Sequence, residues 1–225
     1  MSGQLPLSLP AQEALGRGDL HLDAATALVL GSLESWRGWS GLKWALVGPD
    51  GSGKSHIARV WADGVGGTVV AARDLTEAEV PRLAAAPCVV EDVPGLPAPA
   101  AAALFHLHNE MAGRQPLLLT GRGDPARWDI PLPDLASRIA AAGVTRLESP
   151  SEELLEAVLL KLFAERGLTP APTLIAWLVP RMERDLGAAR RLVAALDARA
   201  LAEGKAPTRA MAAPLLGRSL FGDGA

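Results

Sequence analysis

Eight consecutive residues, Gly48-Pro49-Asp50-Gly51-Ser52-Gly53-Lys54-Ser55, restrict the fold more than any other stretch of the chain. They satisfy every required position of the pattern G-x-x-x-x-G-K-[ST]. Trp44-Ala45-Leu46-Val47 before them reads as a short buried strand, and His56 to Ala62 after them reads as a helix. Glycine at 48, 51 and 53 lets the backbone turn tightly enough for successive amides to point inward at an anion, Ser52 among them. The helix start at Lys54, Ser55 and His56 adds unpaired amides and the positive end of the helix dipole. Lys54 then reaches the β- and γ-phosphates, and the Ser55 hydroxyl takes one position on Mg²⁺. The stretch predicts a nucleotide-binding chain.

The rest of the composition is compatible with that. The 225 residues allow one sizeable domain and a smaller one, and 49% apolar content supplies a core. A net charge of −3 gives no general attraction to nucleic acid or to an anionic membrane. The single cysteine, Cys88, excludes an internal disulfide framework and suits a reducing compartment. No basic residue precedes Arg17 and no apolar run is long enough for a bilayer, so the expectation is a cytoplasmic protein with no membrane partner. The four histidines share no spacing with acids or with Cys88 that suggests a metal site.

Along the chain, residues 1–22 read as an extended tail. Prolines 6 and 10 argue against a helix there, and Leu5, Leu7 and Leu9 need an apolar surface to rest on. Asp23 can cap a helix over Ala24–Trp36. Further strands are expected at Thr68–Ala71, Pro87–Val90, Leu117–Thr120 and Val144–Leu147. Helices are expected after Thr76, over 98–112 and over Asp134–Ala142. Apolar strands alternating with helices imply a five-stranded parallel sheet covered on both faces. From Ser149 onward only helices remain, at 151–166, 171–181, 183–203 and 207–216. The expected organisation is a tail over 1–22, an α/β nucleotide domain over 23–149 and a helical lid domain over 150–225.

Phosphoryl chemistry needs acid opposite the phosphate loop, commonly at the end of a neighbouring apolar strand. Val89-Val90-Glu91-Asp92 has that form, with Glu91 where Mg²⁺ or its water is oriented and Asp92 where an attacking water is positioned. Glutamate in place of the usual aspartate moves the carboxylate by one methylene, which argues against fast intrinsic ATP hydrolysis. Thr120 ends the fourth strand within reach of a γ-phosphate or the attacking water. Arg138, near the start of the fifth strand, can project across a subunit boundary toward a neighbour's γ-phosphate.

Taken together, these residues resemble the AAA+ ATPases of the bacterial replication-initiator family DnaA. The resemblance runs from about residue 17 to residue 216. It rests on the phosphate loop, the acidic strand end, the Leu117–Thr120 strand (sensor 1) and the arginine-finger box Asp134–Ile139. Glu183-Arg184-Asp185-Leu186 looks like the sensor 2 segment, which implies that Arg184 contacts phosphate from the lid. The wording Asp134-Leu135-Ala136-Ser137-Arg138 is similar to the Hda branch, the regulatory inactivators of DnaA. Gln4-Leu5-Pro6-Leu7-Ser8-Leu9 looks like that branch's motif for docking on the DNA polymerase III sliding clamp, with Gln4 making the polar contact and Leu5, Leu7 and Leu9 filling a groove.

The resemblance implies ADP or ATP as the nucleotide, and DnaA and the clamp as partners. It also implies no direct DNA-binding domain beyond the lid, and allows a homo-oligomer. Two rival readings share the core: an AAA+ helicase loader, and a small-molecule P-loop kinase that leaves Arg138 and Arg184 without a purpose.

Overall fold

In the computed structural model, residues 24–219 are described. Five parallel strands form one sheet in the order β2-β3-β4-β1-β5. They are β1 (Lys43–Val47), β2 (Thr68–Ala71), β3 (Cys88–Glu91), β4 (Leu117–Gly121) and β5 (Gly143–Arg146). The helices between them are α1 (Ala24–Glu34), α2 (Lys54–Val65), α3 (Val80–Leu83), α4 (Ala98–Glu110) and α5 (Pro133–Ala140). Parallel pairing requires each crossover to return over a face of the sheet, so both faces are covered and the strands are apolar nearly throughout.

Side-chain alternation sorts the strands between two cores. Ala45, Val47, Val90 and Leu119 pack with α3, α4 and α5 through Leu83, Leu104, Leu107, Leu135 and Ile139. Leu46, Val89 and Leu118 face α1 and α2 through Leu33, Ile57 and Trp61. On that second face Trp39 stacks between Trp44 and Trp61, with ring centroids 5.3 and 5.4 Å apart. Each indole N–H finds an acceptor, on Ser32 O, Thr145 Oγ1 and Leu33 O respectively, so the polar edges are buried without loss.

After β5 the chain is helical: α6 (Glu152–Glu165), α7 (Pro172–Leu178), α8 (Leu186–Glu203) and α9 (Arg209–Ser219). These have their own apolar core around Leu159, Phe163, Leu178, Val193 and Leu196. Ser151 caps α6 by accepting the Leu154 amide at 3.1 Å, as its place ahead of the helix predicts.

Several boundaries differ from expectation for local reasons. The first helix stops at Glu34 and a 3₁₀ turn follows over Trp36–Gly38. Thr76 does not open a full helix. Its Oγ1 bonds the Glu79 carboxylate at 3.2 Å rather than a backbone amide, and only a 3₁₀ turn leads into the four residues of α3. Pro180 converts the end of the 171–181 segment to a 3₁₀ turn. The longest helix begins at Leu186 rather than at 183, because Asp185 is its cap: Asp185 Oδ1 accepts the Ala188 amide at 2.6 Å. Residues 1–23, with Asp23, Gln4, Leu5, Leu7 and Leu9, lie outside the described residues.

The first core also encloses two groups that the sequence gives no reason to bury. Lys43 is 5% exposed with no hydrogen-bond partner for its ammonium, and burial lowers its pKa to about 8. His108 on α4, with Nδ1 unpartnered, is held near 4 by burial and by the charges of Lys43 and Arg138. In both cases the folded protein disfavours the proton, so stability rises with pH through each window, roughly 4 to 6.5 and 8 to 10.5. Lys43→Met removes the upper window. Urea unfolding at pH 7 is expected to show a gain of up to about 3 kcal/mol for that variant, and no gain above pH 10.5.

Candidate phosphate-binding site

The register of the sheet gathers the site at the carboxyl ends of its central strands. Leu46 pairs with Thr120 and Val47 with Gly121, while Val90 pairs with Leu119. The loop after β1 therefore emerges beside the ends of β3 and β4. In open parallel sheets this is where ligands settle.

The loop itself turns through Gly51 (φ +65°) and Gly53 (φ +98°), both in the left-handed region that side chains disfavour. Gly53 caps α2, so the helix N-terminus opens into the loop. Ser52 braces the turn by donating its hydroxyl to Pro49 O at 2.9 Å. Lys54 folds over the loop and donates to Gly48 O at 2.9 Å and Pro49 O at 2.7 Å. Its amine is thus already positioned across the cradle, where a phosphate oxygen can replace either carbonyl. Burial lowers the Lys54 pKa. The carboxylates of Asp50, Asp92 and Asp185 oppose that shift, and the Arg122 guanidinium adds to it. Those four charges mark out what surrounds the lysine. Ser55 is exposed in the first turn of α2, and His56 follows it.

Asp92 lies just past β3 with a left-handed backbone (φ +57°), a conformation aspartate tolerates better than most residues. Thr120 holds it there. The Thr120 hydroxyl accepts the Asp92 amide at 3.1 Å, and the Thr120 carbonyl accepts the Val93 amide at 3.0 Å. Thr120 is fully buried, so it positions Asp92, whose exposed carboxylate is among the charges felt by Lys54.

The helical segment docks directly on the loop. The Leu186 amide donates to Gly51 O at 2.8 Å, and the Asp185 carboxylate lies against the Gly51 α-carbon where any side chain would stand. Arg184 is turned elsewhere and donates to Glu152 Oε1 at 2.8 Å, more than half exposed. Glu91 is committed as well. Its Oε2 faces Arg59 of α2 at 3.5 Å, and its Oε1 is sealed from solvent without a partner. As they stand, these residues do not fit a magnesium ion: Ser55 offers a hydroxyl, but the carboxylate expected opposite it is already paired with a cation. Arg138 on α5 lies over the Phe105 ring at 5.2 Å, among the residues whose charges reach His108.

The structure thus brings together Gly48, Gly51, Ser52, Gly53, Lys54, Ser55, Asp92 and Thr120, and pairs Arg184 with Glu152, Glu91 with Arg59 and Arg138 with the Phe105 ring. Three neighbours were not anticipated. Asp185 was hidden by its neighbour Arg184, although its cap position before α8 could have drawn notice. Arg122, two residues beyond Thr120, pairs with Asp50 of the loop at 2.7 Å. Arg59 is one helical turn beyond Ser55 on α2 and therefore shares its face.

No protein-family model and no curated protein matches the sequence. Solved structures do match the fold. Domain III of the Thermotoga maritima replication initiation protein DnaA superposes with a TM-score of 0.72 at 15% identity, covering 93% of this chain and 98% of that one. AMPPCP-bound DnaA from Aquifex aeolicus gives 0.61 at 14% identity, over 82% of this chain and 64% of that one, so this chain spans under two thirds of that protein's length. The Thermotoga maritima RuvB Holliday junction branch migration motor gives 0.62 at 14% identity, over 86% and 66%. The chain has the AAA+ fold, a five-stranded parallel α/β core followed by a helical segment. Among the described residues, no helix is long and apolar enough to cross a membrane.

Proposed function

We propose that the chain is a nucleotide-binding AAA+ regulator of replication initiation, similar to the Hda branch of the DnaA relatives. In this reading it holds ADP or ATP, docks on the sliding clamp through Gln4, Leu5, Leu7 and Leu9, and stimulates hydrolysis of ATP held by DnaA. The observation that carries the nucleotide half is the phosphate loop itself: a complete glycine cradle at a helix N-terminus, with its lysine folded across it. The superposition on DnaA domain III over nearly the whole chain supports the family half.

The roles divide by location. Backbone amides of Gly51 to Ser55 and the Lys54 ammonium bind and orient phosphate. Asp92 is the acid that a water beside the γ-phosphate would meet, held in place by Thr120. Asp185 and Leu186 close the helical segment over the loop. Arg184 reaches phosphate only after leaving Glu152, a half-exposed pair worth under about 1 kcal/mol.

Arg138 serves a neighbour. It belongs with Lys43 and His108, near the start of β1, whereas its own phosphate loop follows the end of that strand. The five residues of β1 put about 13 Å between those ends, further than an arginine side chain reaches. Helicase loading and small-molecule phosphorylation give Arg138 no comparable task.

The test is reconstituted hydrolysis of DnaA-bound ATP on clamp-loaded DNA, comparing the full chain with one lacking residues 1–10. The full chain is expected to accelerate hydrolysis, and the shortened one to bind nucleotide equally well but lose both clamp binding and stimulation. Unchanged clamp affinity after the deletion would rule out the tail motif. No acceleration by the full chain would rule out the regulatory reading.

A further inference from the structure

The acid that should face a metal is already answered by a protein cation. Glu91 ends β3 on the face shared with Val89, which packs toward α1 and α2. There its carboxylate meets the guanidinium of Arg59, 3.5 Å from Nη2 to Oε2. The Glu91 side chain is 10% exposed and that of Arg59 40%, so the pair is screened from bulk water on the carboxylate side and open on the guanidinium side. Arg59 follows Ser55 by four residues on α2 and therefore stands one turn behind the hydroxyl that would contact a phosphate-bound metal. A divalent ion drawn to Glu91 would lie against that guanidinium, and like charges at such separations oppose each other strongly. The remaining carboxylate oxygen, Oε1, has no partner and no solvent contact, so it offers the ion no hydrated approach.

We infer that the Arg59–Glu91 pair replaces the divalent metal at this site, so that the chain binds nucleoside diphosphate and triphosphate without requiring Mg²⁺. Positive charge for the phosphates then comes from Lys54, from the amides at the head of α2 and from Arg59. This rests on the nucleotide reading above. It also accounts for glutamate at a position where aspartate is usual: the longer side chain reaches along α2 to Arg59.

The experiment titrates ADP into the full chain by calorimetry, once with magnesium chloride and once with EDTA. The expected affinities agree within about threefold. In Arg59→Gln, affinity in EDTA falls by about tenfold and magnesium restores part of it, because the carboxylate is now free to take the ion. Circular dichroism reports the fold of the variant. A loss of about a hundredfold in the parent on removing magnesium overturns the inference and leaves the nucleotide reading standing. No ADP binding in either buffer overturns both. Should Arg59→Gln fail to fold, the parent comparison alone decides.

Discussion

Lys54→Ala is expected to lower ADP affinity by on the order of 100-fold while leaving the unfolding midpoint of the nucleotide-free protein nearly unchanged. The two halves of that result have separate causes. Without ligand, the Lys54 ammonium is bonded to Gly48 O and Pro49 O. Both carbonyls belong to a loop at the surface, where Pro49 is exposed, so water takes the place of the amine at small cost. With ligand, the same ammonium makes charge-assisted bonds to phosphate that water replaces poorly, each worth about 1.5 to 3 kcal/mol. Three carboxylates, those of Asp50, Asp92 and Asp185, surround the cradle, so a phosphate deprived of the lysine also meets net repulsion. Calorimetric titration reads the loss directly. Equal affinity in the variant would mean that the loop is a structural turn and that nucleotide, if bound, sits elsewhere.

Arg138→Ala is expected to keep the fold, nucleotide affinity and clamp binding, and to lose stimulation of DnaA-bound ATP hydrolysis by about a thousandfold or more. An arginine supplied in trans acts on charge that exists only in the transition state, so its removal changes rate without changing ground-state binding. Its present partner is the Phe105 ring, 5.2 Å away. Surrendering an exposed contact of that kind costs about 0.5 to 1 kcal/mol, too little to unfold the protein or to hold the guanidinium back from a partner. Arg138→Lys should recover little, because a lysine lacks the planar fork that spans two phosphate oxygens. Single-turnover hydrolysis on radiolabelled DnaA–ATP separates the variants. Full stimulation by Arg138→Ala would remove the finger assignment and leave the nucleotide site untouched.

What could be read from the residues alone divides by distance along the chain. Gly48 to Ser55 was legible because each position is dictated by its own backbone and by the anion it faces. The central strands β1, β3 and β4 were legible because burial on both faces makes them apolar without alternation, and Leu117-Leu118-Leu119 shows this plainly. Side-chain pairings across the fold were not. Arg59 and Glu91 lie 32 residues apart, and nothing local to either announces the other. Arg184 drew attention as a cation near the start of a long helix, yet that helix begins two residues later, and the neighbour, Asp185, meets the loop. Lys43 is the first residue of β1, a place where lysine ordinarily stays in water, and only the packing of α4 over β1 encloses it together with His108. Each miss is a case of tertiary contact overriding what the residue does by itself.

The account depends on phosphate being held by Gly48 to Ser55 beneath the helical segment, and thermal unfolding with ADP against adenosine tests that most directly. At ligand a hundredfold above its dissociation constant, ADP should stabilise the protein by about 3 kcal/mol. For a chain of this length that raises the midpoint by about 5 to 10 °C. Adenosine, which lacks the phosphates, should leave it where it was. Identical midpoints with ADP, with adenosine and with neither would contradict the account.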